Sequence, residues 1–286
     1  MKIIIIVTLF TLASTAQAAT LLQRLATAGF ACSTYSNGQI CINNTPRATG
    51  FTYPQPVVVL VPANVENPTQ VLLHLHGFRG ICEAADASAA TMAEEFNFAG
   101  QIQQAGVTNS VLIIPISTGN CDTYTASLIP QFAGFEAWME SLIQPASDTW
   151  VVSGHSGAGA ILAQIFAQNQ TFTAKIKTVI LMDALYSMPT YIGDWEKAAT
   201  FNATMTIYSV YTTPDGTGPG NTQLKESIKN KVNIAVANPN VHCEVPTEYG
   251  VLLKEAEAGT MTATRHSPSR DFLAIGQILS GIGSRL

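Results

Sequence analysis

One serine stands where a serine can act as a nucleophile. Trp150, Val151 and Val152 form a short apolar run that stops at Ser153-Gly154. Apolar residues at helical spacing follow: Ala158, Ile161, Leu162, Ile165 and Phe166. Between the two lies Gly154-His155-Ser156-Gly157-Ala158. The pattern predicts a strand, a tight turn and a helix, with Ser156 at the apex. Small flanking residues allow a sharp turn and a helix packed close to the strand. The serine oxygen then stands at a helix N-terminus, where the dipole favours negative charge. A hydroxyl is a poor nucleophile at neutral pH. It needs a histidine to take its proton and an acid to orient that histidine. Five histidines are available: His74, His76, His155, His242 and His266.

Such groups need a rigid frame. Apolar runs over 57–61, 71–75, 111–116, 150–153, 178–182, 205–211 and 232–236 predict strands, with a weaker one over 260–264. Segments with helical character alternate with them: 84–104, 131–143, 158–169, 222–229, 247–258 and 270–279. Near-continuous apolar strands alternating with helices predict an α/β fold: a mostly parallel central sheet with helices on both faces. In such sheets the site lies beyond the carboxyl ends of the strands, and there the partners of Ser156 are expected.

The stretch around Ser156 resembles the nucleophile elbow of α/β-hydrolases, G-x-S-x-G. Its last position departs: Ala158 replaces the glycine, and Gly159 comes one residue later. The resemblance implies the chain order serine, acid, histidine. His266 fits the histidine, between a last strand and a last helix; His242 also follows a strand and precedes a helix. For the acid, Asp183 ends the run TVILMD, where burying an unpaired carboxylate is costly. Asp215 lies in Thr213-Pro214-Asp215-Gly216, a turn composition that needs no catalytic reason. The preferred triad is Ser156, Asp183 and His266. His76-Gly77-Phe78-Arg79-Gly80 follows the run 71–75 and resembles the HG loop of lipases and esterases. That implies an oxyanion hole from the backbone N–H groups of Phe78 and Gly157. His74-Leu75-His76 places two imidazoles on one strand face, but further ligands do not follow, so no metal is expected, and the resemblance implies no cofactor.

Met1 to Ala18 has one lysine, an apolar core and an Ala16-Gln17-Ala18 end, which reads as a secretory signal peptide with the mature chain starting near Ala19. The apolar core is too short to span a bilayer, so no stable membrane anchor is expected. Residues 19–286 are expected to form a single domain, with room for a small lid around 184–200. There Tyr186, Tyr191 and Trp195 either line an acyl or aromatic pocket or pack as ordinary core. Only 12% of residues are charged, and the net charge is −5. That suits an exported (secreted or periplasmic) protein and argues against nucleic acid as partner. Five cysteines in such a chain lean towards disulfides. Cys32 and Cys41 bracket a hairpin closed by Asn37-Gly38, Cys82 and Cys121 each follow a strand, and Cys243 is left over. The expected activity is that of a serine hydrolase acting on a small-molecule ester or acyl substrate. An amidase or peptidase on the same scaffold, and a non-catalytic binding protein, remain alternatives.

Overall fold

The computed structural model describes residues 19–35, 38–77, 109–117, 123–182, 184–186, 188–212, 217–229 and 232–238. Asp183, Asp215, His242, His266, Phe78, Cys82, Cys121 and Cys243 lie outside them. So do the leader 1–18 and the expected helices over 84–104, 247–258 and 270–279.

Helix α1 (Leu21–Thr27) opens the described chain, capped by Thr20 and Gln23, each bonding the other's backbone N–H. A hairpin follows, β1 (Ala31–Tyr35) and β2 (Gly38–Asn43). Cys32 and Cys41 are register partners across it and form a disulfide. Tyr35 pairs with Gly38, so Gly38 belongs to the strand and not to the turn. A Cβ at Gly38 would stand 2.4 Å from the Val61 carbonyl oxygen. The glycine is therefore required by close approach to the next strand, not by turn geometry. After the two-residue strands β3 (Arg47–Ala48) and β4 (Phe51–Thr52) come β5 (Val57–Pro62), β6 (Gln70–Leu75) and β7 (Ser110–Pro115). A π turn (Tyr124–Leu128) and a 3-10 turn (Ile129–Gln131) lead into α2 (Phe132–Ile143). Then follow β8 (Trp150–His155), α3 (Ala158–Gln168), α4 (Gln170–Lys175), β9 (Ile176–Met182), α5 (Met188–Phe201), β10 (Thr206–Thr212), α6 (Thr217–Ser227) and β11 (Val232–Asn238).

Among the described residues nine strands join in the order β1-β2-β5-β7-β6-β8-β9-β10-β11. From β7 to β11 every neighbouring pair is parallel, while β1, β2 and β5 run antiparallel to their neighbours. Alternate residues serve opposite faces of the sheet. Val57, Val59, Leu73, Val152, Val179 and Ile207 join the core under the described helices. Their alternates Val58, Leu60, Leu72, Leu112, Val151 and Ile180 are buried too. Both faces are thus dry, which is why the strands read as unbroken apolar runs. Burying each such side chain contributes about 1.5–3 kcal/mol.

Two polar clusters fix the frame away from the site. Lys175 Nζ lies 2.8 Å from Glu136 Oε1, 2.7 Å from Glu140 Oε1 and 3.4 Å from Asp148 Oδ1, at the N-terminal ends of β8 and β9. Burial pushes the Glu136 carboxyl up, and Lys175 partly offsets this. Arg24 of α1 donates from Nε to the Leu142 carbonyl (2.6 Å) and from Nη2 to that of Ile143 (3.2 Å), closing the end of α2. Its Nη1 donates to the Ala19 carbonyl, and the Leu21 N–H donates to Glu66 Oε2 at 2.9 Å. Among the described residues no helix is long and apolar enough to cross a membrane.

Candidate active site

Adjacent parallel strands deliver their ends together. Leu75 of β6 pairs with Gly154 of β8, and His155 pairs with Met182 of β9. The residues after β6 and β8, His76-Gly77 and Ser156-Gly157, therefore emerge side by side, level with the end of β9.

Ser156 adopts φ +50°, in the left-handed region. For a residue with a Cβ this conformation costs about 1–2 kcal/mol. The turn is forced by what surrounds it. A Cβ at Gly154 would lie 2.6 Å from Leu162 Cδ1, and one at Gly159 would lie 1.7 Å from the Ala184 carbonyl oxygen. Helix α3 thus presses against β8 at Gly154 and against the exit of β9 at Gly159. This explains the departure from the motif: the close approach falls at Gly159, and the buried methyl of Ala158 is accommodated. Gly157 caps α3, so the half-buried Ser156 sits at the helix N-terminus.

Gly77 closes the other side. A Cβ there would lie 2.6 Å from Ser156 Cβ, 2.7 Å from His155 Nδ1 and 2.9 Å from the His155 carbonyl oxygen. Only glycine fits against the serine at that distance.

His76 is buried, and both ring nitrogens are engaged. Nδ1 bonds the Gly77 carbonyl oxygen at 2.9 Å, and the Ser117 N–H donates to Nε2 at 2.7 Å. These roles select the neutral tautomer protonated at Nδ1. Burial lowers its pKa to about 4, against a smaller upward pull from the Gly77 bond. Its ring packs on Tyr124 with centroids 5.3 Å apart. The exit of β7 is pinned around it. Tyr124 Oη donates to the Pro115 carbonyl and Tyr53 Oη to that of Ile116, both at 2.7 Å. His74, one strand turn earlier, lies 2.9 Å through Nδ1 from Ser153 Oγ. Burial, followed by the charge of His76, pushes its pKa well down. His155 is buried beside Gly77.

Of the expected site residues, Ser156 and Gly157 are described, at the start of α3, and Gly77 lies against Ser156. The stretch 184–200 is taken up largely by α5. Trp195 there is fully buried and meets Phe166 edge-on at 5.7 Å, so it packs in the core. The polar frame of Ser117, Tyr124 and Tyr53 carries no sequence signal. Its contacts join segments that no local pattern connects.

No protein-family model matches the chain, and no curated protein matches it. Solved structures match in fold. The chain is similar to a ferulic acid esterase (TM-score 0.55, 11% identity, covering 87% of this chain and 98% of the other). It is similar to a mutant of the esterase rPPE (TM-score 0.52, 13% identity, 91% and 87% covered). It is also similar to a cold-adapted esterase from an Arctic intertidal metagenomic library (TM-score 0.51, 16% identity, 80% and 94% covered). In strand order, in the left-handed turn at Ser156 and in these likenesses, the chain has the α/β-hydrolase fold.

Proposed function

We propose that the protein is an exported serine hydrolase that cleaves small carboxylic esters through an acyl-enzyme on Ser156. The observation that carries this reading is the left-handed Ser156 at the start of α3 with Gly77 against its Cβ. That strain persists only where the surroundings enforce it, and such enforcement is concentrated at functional sites. The neighbours named as esterases support the ester class.

In this mechanism His266, oriented by Asp183, takes the Ser156 proton as Oγ attacks the ester carbonyl. The negative charge that forms on the carbonyl oxygen is met by the N–H groups of Phe78 and Gly157. The C–O bond to the alcohol then breaks, and the alcohol leaves with the proton from His266. Water attacks the acyl-serine by the same route and releases the acid. His242 and Asp215 are the competing assignments for base and acid. The lowered pKa values of His74 and His76 support keeping both out of the proton transfer, since burial makes each a weak proton acceptor. The leader and the Cys32–Cys41 disulfide support export of a mature chain that starts near Ala19.

The test is a panel of p-nitrophenyl esters and aminoacyl amides on the mature protein, with Ser156→Ala beside it. Wild type should turn over short esters and react with a fluorophosphonate probe. Ser156→Ala should lose turnover by several orders of magnitude and escape the probe while staying folded. Near wild-type turnover in Ser156→Ala refutes the nucleophile.

A further inference from the structure

We propose that Cys32 is a thiolation site: the sulfur at which small thiols enter the Cys32–Cys41 disulfide, with Cys41 the buried thiol that closes it again. This holds whatever the chemistry at Ser156.

Three register partners lie in a row across three strands. Cys32 of β1 faces Cys41 of β2, and Cys41 faces Val59 of β5. Side chains of register partners share one face of the sheet, so the disulfide and Val59 stand side by side. Cys41 and Val59 are both fully buried, in the core that also holds Leu21 and Leu25 of α1. Cys32 is exposed, as are Ala31, Ser33 and Thr34 around it. Among the described residues no strand lies beyond β1.

A thiolate opens a disulfide by attacking one sulfur in line with the S–S bond, and the other sulfur leaves. Here the bond runs from β1 to β2. The line through it leaves Cys41 Sγ towards β5, where Val59 blocks the approach. It leaves Cys32 Sγ towards the open side of β1. The incoming sulfur therefore bonds to Cys32 Sγ. The S–S bond breaks, and its electron pair goes to Cys41 Sγ.

The thiolate so formed is out of water and among apolar side chains, which makes Cys41 a poor leaving group. It is also held in place. β2 is paired with β5 from Gly38–Pro62 to Asn43–Val57, so Cys41 cannot drift from its position opposite Cys32. Cys41 Sγ then attacks Cys32 Sγ, the small thiolate is expelled, and the original bond returns. Exchange passes through one exposed sulfur while the strands stay paired.

The test uses glutathione and peptide mass spectrometry that resolves each cysteine. Folded wild-type protein is held in excess reduced glutathione and quenched in acid. Adducts should sit on Cys32, with Cys41 as the thiol. Adducts on Cys41 in equal or greater amount overturn the proposal. So does a lack of adduct on Cys32 where the same glutathione in urea marks both sulfurs. Two variants then measure each sulfur alone, with oxidised glutathione and with thermal melts to establish that they fold. Cys41→Ser should take up glutathione at Cys32 within about tenfold of its rate in urea. Cys32→Ser should take it up at Cys41 at least about 100-fold more slowly than in urea, because a buried thiol reacts only when the structure opens. Equal protection of the two sulfurs in folded variants overturns the assignment, and the wild-type measurement decides it without either variant.

Discussion

Gly77→Ala tests the site at its tightest contact. The new methyl carbon would start 2.6 Å from Ser156 Cβ, and ordinary contact begins at 3.4 Å. Something must therefore retreat by about 0.8 Å, close to the displacement of about 1 Å that costs roughly 100-fold in rate. The His155 carbonyl at 2.9 Å blocks retreat in one direction, and His155 Nδ1 at 2.7 Å blocks another. The cheapest relief pushes Gly77 away from the serine, which under the proposed mechanism displaces the backbone beside the reacting centre. Turnover of p-nitrophenyl acetate should fall about 100-fold, and overpacking should cost about 1–3 kcal/mol of stability in urea. Gly193→Ala on α5 is the control. No atom lies within 4 Å of its added Cβ, so it should stabilise by about 0.5–1 kcal/mol and leave turnover unchanged. If Gly77→Ala retains turnover within twofold of wild type, the loop does not bound the reacting centre and the reasoning fails.

Other outcomes follow from the same contacts. His76 has a folded pKa of about 4, below the roughly 6.5 of an exposed imidazole. Between these values the unfolded chain binds the extra proton, so stability should fall as pH drops through that window, by up to about 3 kcal/mol. Urea midpoints from pH 7 down to pH 4 should show this slope, and His76→Gln should reduce it while the buried His74 keeps its own share. Asp183→Asn should lower turnover and move the acidic limb of the rate profile to lower pH, because the lost negative charge had raised the pKa of the base. Asp215→Asn should do neither, and His266→Ala, not His242→Ala, should prevent acyl-enzyme formation in a burst assay. Replacing Cys32 and Cys41 together by Ala should cost about 2–3 kcal/mol for a loop of nine residues' separation, read from thermal melts. Gly159→Ala sets a Cβ 1.7 Å from the Ala184 carbonyl oxygen; it should impair folding, and a normal melt would contradict the packing.

Apolar runs located the strands because burial on both faces leaves no polar alternation to blur them. The turn at Ser156 was legible for the same reason: a helical period starts directly after a strand. Where sequence reading fell short, breakers misled it. Gly218, Pro219 and Gly220 look like a loop, so helix was expected only from Thr222, yet α6 begins at Thr217. Proline is tolerated in a first helical turn. Gly220 is there because a Cβ would strike the Leu185 carbonyl oxygen at 2.2 Å. Pro189 and Gly193 hid α5 in the same way. Hydrogen bonds such as that from Ser117 to His76 span 41 residues, and no local pattern encodes them.

The Arg24 clamp sets an order of events. Its partners at Leu142 and Ile143 lie 118 and 119 residues further along the chain. As the chain emerges from its amino end, α1 can meet β1 and Glu66 early, but the Arg24 clamp closes only once α2 has followed. If the chain is exported as proposed, the Ala19 carbonyl therefore goes without its bond from a docked Arg24 during most of translocation. Docking then draws Ala19 against the fold through Arg24. A chain that folds before cleavage would carry its leader into a clamped junction. Cleavage efficiency should therefore drop when folding is allowed to run ahead of export, and recover when Arg24 is removed.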